Sequence, residues 1–297
     1  MFSTELFTQT LISGLMIGVL YALMALGITF IYSIVRMINW AMGEFYMLGS
    51  YIQYVAVAYA LGPKLWWLAV IISTAGTFLV GYLIEPILIK PMHARPMERR
   101  DDYATVVTIA LLLMLRSLAV AIGGPYQFRP ETNLPIMWVG PLPMEGARVA
   151  ACLCALLALA LFYVLMSKTW MGLALRAAAQ NRVAAQTSGV DVFRLDAVAF
   201  GIGVALAGLA GALLAPLFLV YPTNGVVTTV KGFEIIVIGG LGSIPGALIG
   251  GLLLGVVESL GAAFISSPYQ NAYGFLLVLL VLLVRPYGLF GERGREA

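Results

Sequence analysis

Arg36, Asn39, Gly43 and Glu44 fall in the stretch VRMINWAMGEFYMLGSY, Val35 to Tyr51, between two strongly apolar runs. Polar groups at membrane depth are tolerated where they are buried in protein or line a water-filled cavity. A cation, an amide and a carboxylate placed there read as a broken helix beside a conduit for a polar solute. The second such place is KGFEIIVIGGLGSIPGALIGG, Lys231 to Gly251, where Glu234 stands near the start and Gly239, Gly240, Gly242, Pro245 and Gly246 interrupt the apolar run. Two glycine-interrupted, acid-bearing segments, one in each half of a chain, point to a transport site between structural repeats. Plainer alternatives stay open. The first stretch also reads as a short cytoplasmic turn whose arginine follows the positive-inside rule, and the glycines of the second also read as close helix packing.

Hydrolytic and metal chemistry lack their parts. The single histidine, His93, lies in a basic loop, so neither a histidine-based metal cluster nor a Ser/His/Asp triad is expected. Cys152 and Cys154, two apart in an apolar helix, point to different faces and read as small packing residues. Arg116 lies inside an apolar run; it snorkels, pairs with an acid such as Glu44 or Glu234, or faces a cavity, with pairing ranked first. Glu85 and Glu258, near the ends of apolar runs, read as interfacial.

A third feature is GLALRAAAQNRVAAQTSGVDVFR, residues 172–194. Strong helix formers from Arg176 to Gln186, with Gly189 as a C-terminal stop, predict a short surface helix. Such a helix docks into a groove on a partner and transmits its motion, or is simply a solvated connection.

The elements that must hold these residues follow from composition. With 61% hydrophobic residues, 10% charged residues and a mean hydropathy of +0.97, the 297 residues cannot present an ordinary aqueous surface around one core. The 32 glycines and 14 prolines favour closely packed helices over a β-barrel. The expected class is all-α and polytopic, a single transmembrane domain over residues 1–297. A net charge of +3 gives no support to nucleic-acid binding. The N-terminal MFSTELFTQT has no basic n-region or cleavage site, so the first apolar run is expected to remain as a span.

Since a crossing needs about 20 apolar residues, runs at 7–32, 42–60, 65–85, 104–122, 149–166, 196–219, 246–263 and 271–285 give about eight spans. Gly232 to Ser243 is too short and reads as a half-helix. Basic residues concentrate in 86–103 (Lys90, Arg95, Arg99, Arg100), in 167–196 (Lys168, Arg176, Arg182, Arg194) and in the tail (Arg285, Arg293, Arg295). Placing all three inside puts the N-terminus outside and requires an odd number of crossings, so either the short glycine-broken piece is a broken ninth element, the favoured reading, or the tail disobeys the rule. No G-x-x-x-x-G-K-[ST] loop occurs, so a partner or a gradient must supply the energy.

RMINWAMGEFYMLGSY, GLALRAAAQNRVAAQTSGVDVFRLDAVAFGIGVALAGLAGALLAP and GFEIIVIGGLGSIPGALIGGLLLGVVE together resemble the H-type permeases of the high-affinity branched-chain amino acid (LIV) ABC importers, over essentially the whole chain. The resemblance implies a type II importer-like permease in the bacterial inner membrane. Its implied partners are a homologous M-type permease, two cytoplasmic ABC ATPases and a periplasmic binding protein, with membrane lipid around it. ATP would be held by the ATPases and no cofactor by this chain. The implied pathway residues are Arg36, Asn39, Gly43, Glu44, Glu234, Gly239, Gly240, Gly242 and Gly246; the implied ATPase-coupling residues are Arg176, Gln180, Asn181, Arg182, Gln186 and Gly189. Two positions depart from the family's pattern. Met42 stands where a histidine is usual, which leaves leucine, isoleucine and valine, urea, short amides and aromatic acids all open as solutes. Gln180 or Asn181 replaces a frequent acid in the coupling helix. On this reading, reversing charge at Arg176 and Arg182 uncouples transport from ATP hydrolysis. A stand-alone transporter driven by an ion gradient is the alternative, and an intramembrane enzyme a more distant one.

Overall fold

The computed structural model describes residues 4–94, 98–139 and 142–291. Arg95, Arg293 and Arg295, used above for orientation, lie outside them, as does the side chain of His93. The first helix, α1 (Thr4–Val35), has 32 residues. At 1.5 Å per residue that is about 47 Å, well beyond the roughly 30 Å hydrocarbon core. Every residue from Leu20 to Ile31 is buried, which suits a helix apolar on all sides only if it stands at the centre of a bundle. Its companion at the centre is α9 (Val192–Leu214), whose run of glycines and alanines is almost wholly buried. Gly27 and Gly203 face one another across this pair, where small residues let the backbones approach.

Around this centre stand α2 (Met42–Val55), α3 (Trp66–Ile84), α10 (Asn224–Gly239) and α11 (Ile244–Phe264). The first helix of each half packs on the third helix of the other, α1 on α11 and α9 on α3, while α2 and α10 meet between them. The halves run in opposite directions, the arrangement of an inverted repeat. Outside lie α5 (Arg100–Gly123), α6 (Gly146–Lys168) and α12 (Gln270–Val284), whose exposed leucines and valines suit lipid contact. The short α4 (Lys90–Ala94) continues α3 through a π-helical segment, Glu85–Ile89, beside Pro86. Between α5 and α6 a two-stranded hairpin pairs β1 (Met137–Val139) with β2 (Leu142–Met144), Met137 opposite Met144, an element the apolar pattern did not indicate.

Among the described residues, seven helices are long and apolar enough to cross a membrane. The expected eighth, 42–60, is instead the 14-residue α2 followed by a π-helical end, Ala56–Leu61. The run expected at 196–219 stops at Leu214, and the half-helix expected over 232–243 is α10, with 16 residues from Asn224. Its polar opening, NGVVTTVK, conceals the helix from hydropathy because it packs against α2 rather than lipid. Counting α2 and α10 with the seven gives nine passes of alternating direction among the described residues, the odd number that charge required. One face gathers Arg36, Lys90, Arg99, Arg100, Lys168, Arg176, Arg182, Arg194 and Arg285; the other carries Lys64, Arg129 and Arg148. The positive-inside rule makes the first face cytoplasmic.

Three non-helical breaks shape the interior. After α1 the chain reverses at Arg36 (φ 58), and the Asn39 side chain accepts from the Ala41 amide at 3.0 Å to turn it back into the protein at Met42. Residues 215–223, with Pro216 and Pro222, separate α9 from α10. Gly240 (φ 99) and Gly242 (φ 79) adopt left-handed backbone between α10 and α11, and Ser243 caps α11 by accepting from the Gly246 amide at 3.1 Å.

Candidate functional site

Two of the three helices that follow breaks, α2 and α10, cross near their first turns. The Gly43 amide donates to Thr229 Oγ1 at 3.1 Å, and that hydroxyl donates to the Gly225 carbonyl at 2.9 Å. A Cβ at Gly43 would collide with the Gly225 carbonyl, so glycine here sets how closely the two breaks approach. Glu44, in the first turn of α2 and fully buried, accepts from Arg116 Nη2 of α5 at 3.1 Å. This is the pairing ranked first for Arg116, and the helix N-terminus also favours the carboxylate. Asn39 is buried, whereas Arg36 is exposed and donates to the Ala179 carbonyl at 3.2 Å. On α10, Val226 and Val230 form an exposed stripe, continued by Phe233 against exposed Trp40 with ring centroids 5.0 Å apart.

The remaining residues proposed for a pathway lie elsewhere. Glu44 and Glu234 do not share a site: Glu234 is buried and faces Gly274 of α12. Gly239 and Gly246 press backbone on backbone where α10 leaves α11, Gly240 lies against Gly291, and Gly242 approaches Tyr32 and Ser33. These glycines thus serve close packing at the cytoplasmic end, the plainer alternative for that segment. Burial also corrects the interfacial reading of Glu85 and Glu258, each about 1% exposed.

The cytoplasmic connection is two helices rather than one, α7 (Trp170–Gln180) and α8 (Arg182–Thr187). Asn181 makes the joint: extended at φ −151, it ends α7 and its side chain accepts from the Ala184 amide at 3.0 Å to cap α8. Gly189 (φ 85) stops α8, with the Val190 amide donating to the Ala185 carbonyl at 3.1 Å. Gln180, Asn181, Gln186 and Gly189 are exposed. Arg176 instead donates to the Met166 carbonyl, and Arg182 binds buried Asp196 at the start of α9 and donates to Ile34 O of α1 at 3.4 Å. These arginines fasten the connection to the bundle, so reversing charge at Arg182 would break the fold's own contacts as well as any partner's.

Sequence reasoning left one network out. Lys231 of α10 binds Glu258 of α11, which also accepts from Tyr21 of α1 at 3.2 Å and from Gln270 of α12 at 3.5 Å. Lys231 also lies 5.2 Å from the Tyr21 ring centroid. The available signal was a lysine seven residues after Asn224 on a segment otherwise apolar or hydroxylic, far from either basic loop.

This architecture of inverted halves, breaks at depth and a basic cytoplasmic connection can be set beside known proteins. The family described as branched-chain amino acid transport system / permease component matches residues 10–284. The chain belongs to that permease family. It is 33% identical to the high-affinity branched-chain amino acid transport system permease protein LivH of Escherichia coli (strain K12), with 96% of each chain covered. It is 34% identical to BraD, the permease protein so described in Pseudomonas aeruginosa, again over 96% of each. A probable branched-chain amino acid transport permease protein LivH of Methanocaldococcus jannaschii is 30% identical, over 92% of this chain and 89% of that one. No solved structure matches. The chain is therefore a multi-pass inner-membrane permease of an ABC importer, and not an enzyme.

Proposed function

We propose that this permease moves branched-chain amino acids inward through a route between itself and a second, homologous M-type permease, acting as one transmembrane domain. Its relatives' names support the solute class. The observation that carries the route is the exposed stripe Val226, Val230 and Trp40 on and beside α10, apolar side chains left uncovered on an element that begins beside the centre of the bundle. Gly43 and Thr229 fix the angle at which α2 and α10 flank that stripe. Arg36, Asn39 and Glu44 hold the break beneath it in shape, and the glycines at 239–246 let α10 and α11 pack closely at its cytoplasmic end. Two cytoplasmic ABC ATPases hold the ATP and work the exposed side of α7 and α8, through Gln180, Asn181 and Gln186, while Arg176, Arg182 and Gly189 keep those helices attached. A periplasmic binding protein delivers the solute.

The test is uptake of labelled leucine, isoleucine and valine into vesicles holding this chain with its co-purified partners. Uptake that requires internal ATP, the ATPases and the binding protein is expected. Accumulation by this chain alone under an ion gradient would overturn the proposal and restore the secondary-transporter reading.

A further inference from the structure

Gly43 and Glu44 leave α2 about 100° apart, and each meets a different helix. Gly43 meets α10 at Gly225 and Thr229, and Glu44 meets α5 at Arg116. The two helices thus stand on adjoining faces of α2 and bound a cleft. The exposed stripe of α10 opens into it. In two antiparallel helices that face one another, the residue after the contact position turns to the same side in both, so Val226, after Gly225, turns to the side that Glu44 and α5 occupy. Val230 continues that side toward the cytoplasm, where Trp40 lies against Phe233. On α5, the buried residues Ala104, Thr108, Leu111 and Leu115 mark the face laid on α2. Arg116 follows Leu115 by one helical step and, because α5 runs parallel to α2, turns toward the α10 side of the cleft.

The Arg116 side chain is 28% exposed, while the Glu44 carboxylate it binds is fully buried. Of the five N–H donors in the guanidinium, one on Nη2 goes to Glu44 Oε1 and the one on Nε is buried. Nη1 is neither buried nor bonded among the described residues, so its two N–H groups open onto the cleft. Arg116 is the one charged residue of α5 beyond its first turn, and Glu44 the one charged residue of α2. The charged groups of α10 turn elsewhere, Lys231 to Glu258 of α11 and Glu234 to Gly274 of α12. The cleft therefore offers one donor fork whose charge Glu44 already balances. Such a group holds a carboxylate without trapping it, as a conduit requires.

We infer that Arg116 is the contact of this permease for the solute's carboxylate: Nη1 donates to a carboxylate in the cleft between α5 and α10, and the solute's apolar side chain lies along Val226, Val230 and Trp40. Glu44 acts through Arg116 as a positioning residue and does not itself meet solute. The inference rests on the route proposed above and deepens it, since it names the group on the route that reads an amino acid's acid end.

The test treats the transporter purified through this full-length chain, with its partners, with p-hydroxyphenylglyoxal, which modifies arginine, and follows the Arg116 peptide by mass spectrometry. Arg116 should react in at least one nucleotide state. Leucine and 4-methylpentanoate, which keep the carboxylate, should slow that reaction, and 3-methylbutylamine, which lacks it, should not. Two variants separate solute contact from a structural ion pair. Glu44→Gln keeps the guanidinium and should keep leucine uptake, whereas Arg116→Met with Glu44→Gln should fold yet lose uptake by about tenfold or more, the worth of one charge-assisted hydrogen bond. An Arg116 that reacts in no state, as when it faces lipid or is sealed against the partner permease, would overturn the contact. So would protection by the amine equal to that by leucine, no protection by leucine, or equal uptake in the two variants. ATP-driven leucine uptake with Arg116 unprotected would reject the contact and leave the transport reading standing; protection together with accumulation by this chain alone under an ion gradient would do the reverse.

Discussion

Removing the Arg182 side chain separates a structural role from a coupling role. Asp196 is fully buried and Arg182 28% exposed, and the guanidinium also reaches the last turn of α1 through Ile34 O. Breaking a buried pair by deleting one partner costs about 3–5 kcal/mol, and partial exposure of the arginine places Arg182→Ala near the lower end, about 3 kcal/mol. Replacing both members, Arg182→Met with Asp196→Asn, removes both charges of the pair and should recover most of that loss. What it does not restore is the tie from α8 to α1 and α9. Thermal melting of the solubilised complex should therefore fall in the single variant and return in the double, while ATP hydrolysed per solute transported rises in both. A single variant that melts like the parent would refute the buried pair. A double variant with parental coupling would refute the idea that this tie carries motion from α8 to the central helices.

Other substitutions probe other joints. Gly43→Ala sets a methyl against the Gly225 carbonyl and should cost about 1–3 kcal/mol of overpacking, whereas Gly76→Ala, whose nearest neighbour is the flexible end of Ile52 at 3.2 Å, should be close to neutral in the same melt. Arg116→Met leaves fully buried Glu44 without its cation and, with the arginine as exposed as Arg182, should destabilise by about 3 kcal/mol, with Glu44→Gln added in the same chain recovering most of it. Asn181→Ala removes the cap of α8, worth about 1 kcal/mol, and should speed hydrogen exchange at the Ala184 amide while α7 is unchanged.

Long apolar runs were legible because the bilayer fixes their length, and the odd number of crossings was legible because basic residues mark one side. Residues whose surroundings are protein rather than lipid were not. The opening of α10 looks polar, yet Asn224 and Thr229 are buried against α2. Glu85 and Glu258 sit at the ends of apolar runs, yet burial of each depends on helices distant in sequence. Asn181 lies amid helix formers, and only its cap to Ala184 reveals a joint rather than a continuous helix. Arg116 was legible as a residue needing an acid, but Glu44 could be chosen over Glu234 only once α5 and α2 were seen side by side. The glycines at 239–246 were identified as a break, while their backbone contacts, which make them packing positions, arise from the return of α11 along α10.

The most direct test asks whether the exposed stripe of α10 borders the solute route. With Cys152 and Cys154 replaced by alanine, Val230→Cys is introduced into the assembled transporter and exposed to a membrane-impermeant maleimide in the nucleotide-free and the ATP-trapped states. The account predicts labelling in one state and protection in the other, with leucine slowing the reaction. Failure to react in either state, as for a side chain facing lipid, would contradict it.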